Sequence, residues 1–445
     1  MKFNRLIVLT GIVIAIAFIA MIMYKIVNTL LPEDSSVNVQ AMVIFDDASC
    51  VACHRRNNAS TLYTTLPVIG QKIKKNRFDI EDSFDRLKKG EAINEVILSK
   101  IEQATLIETS MPPAYHYLTH WGATVTPAKQ TILKDWLKKH REKFYPNTEA
   151  ADRFKDEPVR PVPSSHQTFR ADNPSLKDEP ARPVPASPVV ATQKAALGEL
   201  LFFDSRLSSD NTVSCASCHQ PDKGGANNHQ YATGVGKRLV NLNTPTVYNT
   251  CFDVACSWDG HAANTKDFIR EHITNTVIMD NRSLTGDTLS DALAEYTKTL
   301  LTPGCRFDAY LKGDETAITQ MEISGYELFK SHKCAICHIG VTLGGQSFER
   351  MGMYGDYFSD RGWEMTKEDM GRFNYTADEY DRHRFKTPGL RNVALTKPYF
   401  HDGSQSSLFE AVQTMGKYQS GKTLSDDDAN AIAAFLETLS ASLSK

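Results

Sequence analysis

The chain opens on an apolar run, Leu6 to Met23, broken only by Thr10 and Gly11 and flanked by Lys2, Arg5 and Lys25. A bilayer-crossing helix takes ~20 residues, and this run is just long enough. No small-residue cleavage site follows it, so it reads as an uncleaved anchor rather than a secretory signal. The basic flank predicts a cytoplasmic N-terminus, with everything from about Leu31 onward on the outer side of the inner membrane. Beyond the anchor the apolar positions take up helical spacing. Asn94–Gln103 carries Ile97, Leu98 and Ile101, and Pro127–Lys143 carries Ile132, Leu133, Trp136 and Leu137. Further helices are predicted from Gln193 through Phe202 and over Leu289–Leu300.

Residues 148–190 break this periodicity with proline, charge and small polar residues. Within them Lys155-Asp156-Glu157-Pro158-Val159-Arg160-Pro161-Val162-Pro163 recurs as Lys177-Asp178-Glu179-Pro180-Ala181-Arg182-Pro183-Val184-Pro185. Two proline-rich nonamers do not make a solenoid. They favour an extended, semi-rigid spacer, with a docking arm laid across the next domain as the alternative.

Candidate chemistry enters through Cys215-Ala216-Ser217-Cys218-His219, two cysteines three apart with a histidine directly after. This is the attachment pattern of a c-type haem: the thiols bond the macrocycle and His219 lies under the iron. The pattern returns at Cys50, Cys53 and His54 and at Cys334, Cys337 and His338. Three copies predict three covalently bound haems c. A zinc half-site or a redox dithiol would not be expected to repeat this way.

Six of the nine cysteines are thus assigned, leaving Cys251, Cys256 and Cys305. Two of these could pair, and sequence does not choose which. Covalent haem attachment belongs outside the cytoplasm, so the haem domains are expected in the periplasm of a chain held by a single N-terminal span. A net charge of -3 gives no basic footprint for nucleic acid.

The 445 residues suit about three domains. The expected fold is mainly α: an anchor (1–35), a single-haem cytochrome c domain (36–147), a proline-rich linker (148–190) and two further cytochrome c-like domains (191–312 and 313–445). In the first haem domain, Ser110-Met111-Pro112-Pro113 resembles the proline-bounded loop from which small cytochromes c take a sixth ligand. Met111 is the candidate, with His116 and His120 as alternatives. His/Met ligation closes both axial positions, so such a haem moves electrons and does not bind substrate.

From about residue 190 a denser resemblance sets in. Leu201-Phe202-Phe203-Asp204, Arg206-Leu207-Ser208, the Cys215 motif, Asn243-Thr244-Pro245-Thr246-Val247-Tyr248-Asn249 and Trp258-Asp259-Gly260 look like the bacterial dihaem cytochrome c peroxidase family. So do Pro388-Gly389-Leu390-Arg391-Asn392-Val393 and Tyr399-Phe400-His401-Asp402-Gly403. With the anchor and the extra haem, the whole chain resembles the membrane-anchored trihaem branch. The resemblance implies a peroxidatic haem on His219 and an electron-transfer haem on His338 with Met415 as sixth ligand. Met351, Met353, Met365 and Met370 are rivals for that position on residue type alone. It further implies Trp258 between the haems. A calcium ion is implied too, held by the Asn243 side chain and the Thr396 and Pro398 carbonyls. The implied partners are hydrogen peroxide and a quinol pool or a small cytochrome or cupredoxin donor. A homodimer is left open.

The chain also departs from that family. Aligned without gaps from His219 to Met279, the family's distal glutamate falls on Ile278, its glutamine on Phe268 and its aromatic on Ser257. The histidine that closes the site in many members falls on Val235. Isoleucine cannot move a proton. Glu271, His272, Asp280 and His229 are the nearby substitutes, of which Glu271 and His272 are carried as candidates. The alternatives are a dihaem-type oxidase with another substrate, or a non-catalytic electron-transfer or redox-sensing protein in which His229, His272 or Cys256 caps the iron.

Overall fold

A computed structural model describes residues 14–19, 36–48, 50, 54, 80–107, 111, 125–144, 179–186, 188–284 and 286–443. The chain forms two compact units, Met1–Phe144 and Tyr145–Lys445. The fold expected from sequence needs correction at its N-terminus. Among the described residues no helix is long and apolar enough to cross a membrane. Of the Leu6–Met23 run only residues 14–19 are described, as helix, and the rest lies outside the described residues. The expected single span, and the inner-membrane placement built on it, are therefore not retained.

Unit 1 is built from α1 (Val37–Asp47), α2 (Glu81–Lys88), α3 (Glu95–Glu102) and α4 (Pro127–Phe144). Ser36 and Asn94 cap α1 and α3 by accepting backbone N–H groups. The apolar spacing of the sequence places Leu98, Ile101, Leu133, Trp136 and Leu137 in the core, with Val96 beside them. Phe45 meets Phe84 and Trp136 edge-on, at 5.1 and 5.2 Å between ring centroids.

On α4, His140 is buried, and its Nε2 accepts the Ile93 N–H at 3.3 Å. Burial, then Lys143 and Arg141, pushes this imidazole from its ordinary 6.5 down to about 4. Between those values the unfolded chain binds a proton that the folded unit does not, so stability rises with pH across the window. Unit 1 is expected to lose roughly 2–3 kcal/mol as pH falls from about 6.5 to about 4. Denaturant unfolding at several pH values reads this loss, and His140→Gln should flatten it.

Unit 2 contains two halves of similar plan. In the first, α5 (Thr192–Phe202) precedes the Cys215 motif, and α6 (Thr265–Thr274) and α7 (Asp287–Thr299) follow it. In the second, α8 (Gln320–Ser331) precedes the Cys334 motif, and α9 (Leu408–Met415) and α10 (Asp426–Glu437) follow it. Capping boxes at Thr319/Glu322 and Ser407/Glu410 fix the starts of α8 and α9.

Each half is closed by a helix pair crossing at a glycine. A Cβ on Gly198 would lie 2.0 Å from the Ala292 carbonyl oxygen, and one on Gly325 would lie 1.9 Å from that of Ala431. A backbone carbonyl cannot rotate out of the way. Gly325→Ala is therefore expected to cost about 3 kcal/mol, at the upper end of overpacking, read from the shift in the denaturant midpoint. The helices are supplemented by two small antiparallel sheets. β1 (Ala232–Thr233) pairs with β2 (Leu239–Val240), and β3 (Phe348–Arg350) with β4 (Arg384–Lys386).

Candidate active site

The two haem motifs of unit 2 hold their histidines alike. Cys215–Cys218 form one helical turn, boxed by Ser214 and Ser217, and the His219 N–H donates to Cys215 O at 2.8 Å. The ring of His219 is pinned through Nδ1, which lies 3.2 Å from Gly225 O and 3.1 Å from Pro245 O. His338 Nδ1 lies 2.9 Å from Leu343 O. Carbonyl partners require Nδ1 to carry the proton, which leaves Nε2 as the ligating atom in both rings. Burial lowers both imidazoles, favouring the neutral form that ligates iron. Burial also pushes the Cys215 and Cys334 thiols up to about 12. A thiol so raised makes a poor redox dithiol or thiolate site. Neutral Nε2 donors beside pairs of half-buried cysteines fit covalently held haem.

In unit 1, the His54 N–H donates to Cys50 O at 2.9 Å, the same backbone turn as at His219. Met111 donates its N–H to Ala104 O. Cys53, His116 and His120 lie outside the described residues.

α6 and the Val235 and Ile278 segments pack into the apolar core of the half that carries the Cys215 motif. Val235 is fully buried in the apolar core of its half, with its N–H on Ile278 O at 3.1 Å. Gly234 is pressed against Val277, where a Cβ would lie 1.9 Å from the carbonyl oxygen. That position offers no ligating side chain.

On α6, Phe268 and His272 are one turn apart and share a face, their ring centroids 4.2 Å apart. The nearby Phe268 carbonyl raises the His272 ring slightly against the effect of burial. Burial pushes His272 down to about 4, with further lowering from His219 and His261, so it stands within electrostatic reach of His219. Glu271 is exposed and accepts from His261 Nε2 at 3.0 Å. His229 is exposed, Asp280 faces Arg238, and Cys256 Sγ faces Thr265 Oγ1. None of Cys251, Cys256 and Cys305 is in a disulfide.

The sequence reading overlooked His261. Its Nδ1 lies 2.5 Å from Asp259 Oδ1 while Nε2 takes Glu271, and the bond to Asp259 leads the causes that raise it above its ordinary value. Ser257 lies near the same Asp259 carboxylate and helps hold it below its ordinary value. The available signal was a histidine two residues after the aspartate of the Trp258-Asp259-Gly260 motif.

Trp258 lies at the seam of the two halves. Its Nε1 donates to Asn243 O at 3.0 Å, and its ring meets His401 at 6.4 Å. The Asn243 N–H in turn donates to His401 O, while its side-chain amide donates to His229 O. Thr396 packs against Gly224 of the first half. Behind His401, Arg361 spans Asp369 at 2.7 Å and Asp402 at 2.5 Å, all three buried, and His401 Nε2 lies 2.9 Å from Asp369. Asp369, His401 and Asp402 cluster tightly enough to suit a cation, but the Arg361 guanidinium already pairs with both carboxylates.

Met415 ends α9, packed with Trp258 and Phe400 against Tyr357, Phe385 and Tyr418. Among its rivals, Met351 and Met370 have sulfurs that accept hydrogen bonds, and Met365 is exposed.

The paired histidine sites define a c-type haem oxidoreductase. Residues 192–285 match the family described as di-haem cytochrome c peroxidase, and residues 12–139 match one described as haem-binding domain. The chain is 34% identical over 435 residues to cytochrome c peroxidase Ccp of Escherichia coli K12, covering 91% of this chain and 88% of that protein. It is 38% identical over 270 residues to cytochrome c551 peroxidase of Nitrosomonas europaea, covering 55% of this chain and 79% of that one. A solved MauG-like protein associated with microbial copper homeostasis shares the fold, with a TM-score of 0.50 at 24% identity over 60% of this chain and 94% of that one. The chain belongs to the di-haem cytochrome c peroxidase family, and it is a peroxidase-like enzyme.

Proposed function

We propose that the protein reduces hydrogen peroxide to water at the His219 site. Two electrons per peroxide arrive through the His338/Met415 and His54/Met111 sites from a small cytochrome, a cupredoxin or a quinol. The three attachment motifs would hold three haems c, which supply the redox chemistry when bound. The single observation that supports this reading is His272. It is a half-buried imidazole, kept neutral by desolvation, on the face of α6 that also carries Phe268 and within electrostatic reach of His219.

A ring nitrogen of His272 is the atom that accepts a peroxide proton and returns it to the departing oxygen. At about 4 its basicity is that of a carboxylate, which suits it to replace the glutamate lost at Ile278. Trp258 bridges the halves for electron passage. Calcium, held by the Asn243 side chain with the Thr396 and Pro398 carbonyls, is part of the same proposal, since oxygen donors suit a hard cation.

The test is the haem-loaded protein with an artificial electron donor and hydrogen peroxide. Turnover well above that of free haem is expected, and none in either redox state overturns the reading. The second reading, electron transfer or redox sensing without turnover, draws on Ile278, Phe268 and Ser257 and on His272 as a cap over the iron. Binding of cyanide at the His219 site of the intact protein contradicts it.

A further inference from the structure

The proline-rich linker does not run free as it enters unit 2. Residues 179–186 lie along the second half as an extended strap. Glu179 accepts from Tyr326 Oη at 2.6 Å and from Lys330 Nζ at 3.2 Å. Ala181 bridges Gly340 in parallel: the Gly340 N–H donates to Pro180 O and the Arg182 N–H to Gly340 O. Arg391 Nη2 donates to Arg182 O at 2.6 Å, and the Val184 N–H reaches Asp308 Oδ2 at 3.4 Å. Ala181 and Val184 are buried, Ala181 within the core around Phe307, Leu311 and Tyr326. An extended proline-rich segment is pre-ordered, so its docking costs little entropy.

These contacts use the second nonamer's Glu179 carboxylate, its backbone atoms, and the apolar side chains of Ala181 and Val184. The first nonamer, Lys155–Pro163, lies outside the described residues and is identical except for Val159 in place of Ala181. We propose that the groove formed by Tyr326, Lys330, Gly340, Arg391 and Asp308 is a recognition site for this nonamer, and that the chain's own first copy docks there in exchange with the second. Glu157 would take the Tyr326 and Lys330 bonds, Val162 the Val184 position and Val159 the Ala181 position.

Chain length permits the exchange, because Pro163 is followed by 28 residues before α5 begins at Thr192. Two features favour the second copy: Val159 adds two methyl groups at a buried position, and the closing loop is longer. Together they set a bias on the order of ten- to a hundred-fold. The register changes the tether to unit 1. The segment between Phe144 and the docked nonamer shortens from 32 residues (145–176) to 10 (145–154). At ~3.3–3.6 Å per residue its reach falls from about 110 Å to about 35 Å.

The experiment uses the full haem-loaded chain carrying Lys330→Cys with either Glu157→Cys or Glu179→Cys, treated with a short bis-maleimide and mapped by peptide mass. The 179–330 cross-link should dominate and the 157–330 cross-link should be weak. Val159→Ala, which leaves the second copy intact, should raise the 157–330 product several-fold towards parity. Replacing residues 177–185 by a Gly/Ser nonamer should make that product dominant. The same replacement should lower the melting temperature less than replacing both nonamers does. The proposal is overturned if Val159→Ala leaves the 157–330 product unchanged. It is equally overturned if that product joins two chains rather than one, or if replacing the second nonamer alone is as destabilising as replacing both.

Discussion

Replacing His272 by alanine is expected to lower kcat/KM for hydrogen peroxide by about 100- to 10,000-fold, the range that a positioned general acid–base group contributes. The expectation follows from what surrounds the ring. Burial keeps the imidazole neutral, and His219 is close enough to perturb it. The neighbouring carboxylate does not compete for the role: Glu271 is exposed and bonded to His261. Glu271→Gln should therefore change turnover much less than His272→Ala.

His272→Glu should restore part of the loss, because a carboxylate of similar basicity stands on the same helical face. The pH profile follows from the same ring. Only the neutral imidazole can accept the proton, so the turnover that depends on it should be level above about pH 5 and fall as pH drops through about 4. If His272 instead capped the iron, His272→Ala would raise turnover and tighten cyanide binding. A rise in either quantity would falsify the assignment of His272 as the base.

How much of this was legible beforehand depends on the range over which each feature is encoded. The haem motifs are local: five consecutive residues fix the backbone turn that brings His219 over Cys215, and the same turn occurs at His54 and His338. The helices over Glu95–Glu102 and Pro127–Phe144 were legible because their buried positions repeat at the helical period. The anchor was read from apolarity alone, and among the described residues no helix is long and apolar enough to cross a membrane.

Longer-range features were out of reach. Arg361 meets Asp369 and Asp402, 8 and 41 residues away, and nothing in either segment announces the other. The strap shares its composition with an ordinary spacer. Its docking depends on Tyr326 and Arg391, which lie 147 residues beyond Glu179 and 209 beyond Arg182. The alignment located the losses at Ile278, Phe268 and Ser257. It could not rank Glu271 against His272, because that choice turns on burial, which adjacent helical residues do not share.

Arg391→Ala is expected to destabilise unit 2 by about 3–5 kcal/mol, the cost of stranding a buried charge. Arg391 and Asp308 are both almost fully buried, with Nη1 2.7 Å from Oδ1. The pair is held at ion-pair distance without the alignment of a hydrogen bond, so the guanidinium's other contacts carry its orientation. Nε donates to Val341 O, Nη1 approaches Cys305 Sγ at 2.9 Å, and Nη2 takes Arg182 O in the strap. Asp308 Oδ2 meanwhile accepts the Val184 and Gly304 N–H groups. One side chain thus joins the strap, the short helix Arg306–Leu311 and the segment three residues past His338.

Arg391→Lys keeps the charge but cannot serve three directions at once, and should recover less than half of the loss. Arg391→Met with Asp308→Leu removes both charges, and should be less destabilising than Arg391→Ala alone, because no charge is then left unpaired. Denaturant unfolding of the haem-loaded protein measures all three variants. A loss below about 1 kcal/mol for Arg391→Ala would mean that water reaches Asp308 and that the pair is not buried in solution.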